Sequence, residues 1–80
     1  MAPSEQEHPI VEALIALDWH MDPIARARAK IVEVLGIAES EALAVLQGLM
    51  RRGVVELRAE KVGIGQVMRS KWFRPQEPTS

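Results

Sequence analysis

Hydrophobic spacing changes period once along this chain, at Gly53. Before it, apolar residues recur every three or four positions, as they do in helices that turn one face inward. After it they alternate with charged residues, as in a strand with one buried side. Helices therefore come first and a β-hairpin last. With 80 residues there is room for one domain only. A domain this small buries only about 60–65% of the surface its unfolded chain exposes.

Local signals divide the helical part into three. The first helix is expected over about residues 9–19, with Pro9 at its first position and Ile10, Leu14 and Leu17 at helical spacing. Val11 and Ile15 widen that stripe. Asp22 is a good N-cap, and Pro23 suits the first position of a second helix over residues 23–35. Its inward face is Ile24, Ala27, Ile31 and Val34/Leu35, and Gly36 can end it in the left-handed conformation. A third helix over residues 39–52 carries Leu46, Leu49 and Met50, and Gly53 closes it. Leu14, Ile31, Leu35, Leu46 and Leu49 are expected to pack together.

In the last part, residues 54–60 alternate: Val55, Leu57 and Ala59 on one side, Glu56, Arg58 and Glu60 on the other. Residues 61–66 supply glycines for a loop, and residues 67–73 return, with Met68, Ser70 and Trp72 sharing a face. Trp72 is expected in the core. Phe73 falls on the other face, where it could pack on the first helix, stack on a base or fill a partner's pocket. Residues 1–8 and 75–80 are expected to be flexible ends around a domain of residues 9–74.

Composition excludes several functions. There is no cysteine, so disulfides, thiolate metal sites and cysteine nucleophiles are absent, in keeping with a reducing cytoplasm. No apolar run approaches the ~20 residues of a membrane span. The acidic start lacks the parts of a signal peptide, and a cytoplasmic location is expected. His8 and His20 are the only histidines, and their spacing to Asp18 and Asp22 fits no standard metal site. Gly63 and Gly65 do not open a helix and so form no phosphate-binding loop. No nucleophile–base pair or carboxylate dyad is evident. The chain is expected to be a non-enzyme without cofactor, metal or small-molecule substrate.

Charge is distributed unevenly. Residues 1–23 contain Glu5, Glu7, Glu12, Asp18 and Asp22 and no Lys or Arg. Residues 51–74 contain Arg51, Arg52, Arg58, Lys61, Arg69, Lys71 and Arg74 against Glu56 and Glu60 only. A basic segment of this kind suggests an anionic partner.

The order of elements and the residues at the turns resemble the winged helix-turn-helix family. Gly36 and Ile37 correspond to its tight turn between helices 2 and 3. Ile31 and Leu35, then Ala42, Val45 or Leu46, and Leu49, correspond to its packing positions. Gly53, followed by Val54 and Val55, corresponds to its entry into the wing. The resemblance implies a mainly α fold of three helices with a β-hairpin wing, and a protein that binds double-stranded DNA as a transcriptional regulator. It also implies that the start of helix 3 enters the major groove. That start reads Ala38, Glu39, Ser40, Glu41, Leu43, Ala44 and Gln47. Ser40 and Gln47 suit base or phosphate contacts. Glu39 and Glu41 face a polyanion badly, although acids in a first turn also suit the helix dipole.

Two functions therefore stand side by side. In one, the wing grips the phosphate backbone through Arg58, Lys61, Arg69 and Lys71 on its outer side, with Arg51 and Arg52 at its base. In the other, the domain is a degenerate winged helix that binds a protein partner or a second copy of itself. Leu43 on helix 3 and Val11 and Ile15 on helix 1 are the candidate contacts for that second function.

Overall fold

The structure is a computed structural model, described here for residue 5, residues 7–65 and residues 67–75, with the backbone alone described at position 62. It has the three-helix winged-helix layout. Helices α1 (His8–Ile15), α2 (Pro23–Leu35) and α3 (Glu39–Arg51) precede strands β1 (Glu56–Val62) and β2 (Val67–Phe73). The two strands pair antiparallel, from Glu56 opposite Phe73 to Val62 opposite Val67.

The helix ends follow from local chemistry. The Asp22 carboxylate accepts the Ala25 N–H at 3.2 Å, and Pro23 opens α2 without an N–H to satisfy. Gly36 ends α2 at φ 65°, and its N–H reaches the Val32 carbonyl at 2.8 Å. At the end of α3 the Gly53 N–H bonds the Met50 carbonyl and the Val54 N–H bonds the Leu49 carbonyl, both at 3.1 Å. This pair of bonds is the Schellman pattern, and it needs the left-handed φ of 72° found at Gly53. It also turns Val54 and Val55 into the core. The first strand consequently starts at Glu56, two residues later than the alternation suggests, and runs on to Val62, into the segment expected as loop.

Ile10, Val11 and Leu14 of α1, Ala27 and Ile31 of α2, and Ala42, Leu46 and Leu49 of α3 form the core. Val54, Val55 and Trp72 complete it. Four of the five residues expected to pack together are buried. The fifth, Leu35, is 40% exposed. It lies in the last turn of α2, and Ile37, just beyond the glycine, packs on the core instead. Met50 is exposed as well, because Ala42, Leu46 and Leu49 already fill the inward stripe of α3.

Helix α1 ends at Ile15, short of the expected residue 19. The residues after it serve the sheet. His20 and Ser70 exchange two backbone hydrogen bonds of 2.9 Å, so β2 has a bonded neighbour on each side there. Long-range pairing here overrides the helical spacing of Leu14 and Leu17.

Burial gives a direct test. Leu49→Ala is expected to lower stability by about 2–5 kcal/mol. Leu35→Ala, on the half-open end of α2, should cost about 1 kcal/mol or less. Urea denaturation of both variants measures this, and equal losses would contradict the packing.

Candidate interaction surfaces of the wing and the third helix

Three consecutive residues of β2 fasten the wing to three separate segments. Ser70 pairs with His20 through the backbone. The Lys71 ammonium donates to the carbonyls of Ile15 at 2.9 Å and Leu17 at 2.6 Å. It thereby caps the C-terminal end of α1, where the dipole favours a cation. Trp72 is 1% exposed, and its indole N–H donates to the Pro23 carbonyl at 3.3 Å, at the start of α2.

The strand register decides which side chains share a face. Leu57, Ala59 and Lys61 lie on the face of Trp72, Ser70 and Met68. Glu56, Arg58 and Glu60 lie on the face of Phe73, Lys71 and Arg69. Lys61 was expected on the outer side with the other wing cations. It lies on the opposite one, because it pairs with Met68 two positions beyond Ala59 in the alternation.

The outer face is mixed in charge. Glu60 stands opposite Arg69, and Arg58 opposite Lys71. The Arg58 guanidinium bonds Glu56 at 3.2 Å and lies 4.5 Å from the centroid of the Phe73 ring. Phe73 meets Trp19 edge-on, with ring centroids 6.0 Å apart. Phe73 thus packs against the segment that follows α1, one of the roles open to it from the sequence.

Two bases outside the hairpin are also engaged. Arg52 pairs with Glu7 and also reaches the Gly48 carbonyl. The Glu7 hydrogen bond pushes the Arg52 pKa up against an opposing effect of desolvation. Arg74 pairs with Glu12. Arg51, Lys61 and Arg69 are exposed and have no ion pair among the described residues. Arg51 stands at the end of α3, and Lys61 and Arg69 lie on opposite faces of the wing.

On α3, Glu39, Ser40, Glu41, Ala44 and Gln47 are exposed and Leu43 is half-buried. Of the partner candidates on α1, Val11 is 1% exposed and Ile15 packs against the core, so Val11 offers no surface to a partner. The large apolar side chains exposed among the described residues are Ile64, Val67 and Met68 at the far end of the wing, Met21 before α2, Val34 and Leu35 at its end, and Met50 in the last turn of α3. Among the described residues no three His, Asp or Glu side chains gather as a metal site requires, and no helix is long and apolar enough to cross a membrane.

The functions of Lys71, Ser70 and His20 carry no local sequence signal, since each depends on a partner about 50 positions away. Lys71→Met, which keeps most of the stem and removes the donor, is expected to lower stability by about 1–3 kcal/mol. Arg69→Met, two residues away and exposed, should change it by less than about 0.5 kcal/mol. Thermal and urea denaturation of the pair test this, and equal effects would remove Lys71 from its capping role.

No family model matches the chain, and no curated protein or solved structure shows significant similarity to it.

Proposed function

We propose that this chain is a winged-helix module that binds protein rather than DNA. The observation that carries this is how its charge is placed. Duplex DNA presents one negative charge per ~1.7 Å of axis, and binding it requires several cations on one surface. Here Lys71 is drawn into the end of α1, while Arg58, Arg52 and Arg74 each pair with a glutamate. The first turn of α3, which would approach the groove, exposes Glu39 and Glu41. Ser40 and Gln47 are exposed beside them, but they cannot by themselves supply the attraction that phosphate contacts need.

The alternative is a DNA-binding regulator that uses Arg51, Lys61 and Arg69. Its support is the excess of bases over acids in residues 51–74. A titration of generic duplex at low and moderate salt separates the two. The protein-binding function predicts no measurable binding at low salt, and no gain from Glu41→Gln. Binding at low salt would overturn it, provided that the affinity falls with a log–log slope of about −0.9 per phosphate and Arg69→Ala reduces that slope by about one.

A further inference from the structure

We infer that the partner is a second copy of this chain, joined through the outer edge of β1 into a continuous four-stranded sheet. The inference names the partner for the protein-binding function and rests on it.

The backbone phase follows from Ser70. Both its N–H and its C=O bond His20, so both point away from β1. Direction alternates along a strand, so Arg69 and Lys71 turn their groups toward β1, where they meet Glu60 and Arg58. Leu57, Ala59 and Lys61 therefore direct their N–H and C=O groups to the opposite edge. Among the described elements, β2 is the only one against which β1 packs extensively. The edge has no proline, and its pairing with β2 runs residue for residue without a bulge. Two common devices that keep edges from pairing are thus missing.

Charge selects the register. A symmetric antiparallel pair centred on Ala59 sets Ala59 opposite its counterpart and Leu57 opposite Lys61 on either side. These are the residues with free backbone groups, and the arrangement closes six hydrogen bonds. The intervening positions place Arg58 opposite Glu60 twice, as non-hydrogen-bonded pairs, whose side chains stand closest. Centring on Arg58 instead opposes Arg58 to Arg58 and Glu56 to Glu60. Centring on Glu60 opposes Glu60 to Glu60. Centring on Leu57 also sets Arg58 opposite Glu56 twice, but it closes only two hydrogen bonds within β1, because Ala59 then meets Val55, which lies before the strand and in the core. The Ala59 register alone combines complementary charges with six hydrogen bonds.

Sedimentation equilibrium of the full chain, up to about 1 mM, tests this. The wild type should associate reversibly to a dimer. Arg58→Glu and Glu60→Arg each turn both cross-strand pairs into like-charge pairs, and each should weaken self-association by about tenfold or more. An equimolar mixture of the two variants restores opposite charges at both positions and should form a heterodimer. That rescue cannot come from misfolded chains, and circular dichroism melting of each variant checks the fold independently. Ala59→Pro, which removes an outward N–H, should abolish association. A wild type that stays monomeric, single variants that dimerise like wild type, or a mixture that stays monomeric would each overturn the edge pairing. If the wild type is monomeric and binds no duplex, only the pairing fails. Duplex binding at low salt overturns the protein-binding function itself, whatever the sedimentation result.

Discussion

The fold depends on how β2 is held. A two-stranded hairpin is marginal in water unless something packs on it. Here Ser70, Lys71 and Trp72 each bind a different segment: the strand-like residue His20, the end of α1 and the start of α2. The alternation of a strand makes this division possible. Trp72 points into the core, Lys71 points to the other face, and the Ser70 backbone points sideways. Removing any one of these contacts would leave the hairpin joined to the helices by fewer segments.

The same arrangement determines what remains available to a partner. Once Lys71 is used as a cap, it is no longer a free cation on the wing. Among the described residues, His20 meets one edge of β2 at Ser70 and β1 pairs with the other along its length, while the far edge of β1 carries no backbone bond. The surface chemistry of the domain therefore follows from its internal fastening. It leaves a mixed-charge hairpin face, an α3 start with two exposed acids, and an edge strand on which Glu56, Arg58 and Glu60 alternate in charge.

Much of the fold was legible in the sequence, because its signals are local. Asp22 and Pro23 marked the start of α2, and Gly36 its end, because capping and left-handed φ depend on neighbours within four residues. Gly53 marked the end of α3 for the same reason. The change from helical spacing to alternation placed the hairpin. Leu35 was misjudged because periodicity cannot tell that the core ends one turn earlier. Val11 looked like a spare apolar residue on α1 and proved to be core. The face of Lys61 depended on how far the strand continued. The pairing of His20 with Ser70 and the capping by Lys71 join residues far apart in sequence, and no local pattern announces them. Charge count alone therefore overstated the basic wing: it could not show which bases already had partners.

Amide hydrogen exchange, followed residue by residue at low chain concentration, tests the central claim most directly. If β2 is held between His20 and β1, the amides of Ser70 and His20 should be protected, together with those of Arg69 and Lys71. The amides of Leu57, Ala59 and Lys61 should exchange like open backbone, because they face the free edge. Rapid exchange at Ser70 and His20, or strong protection at Ala59 in the dilute monomer, would contradict this account.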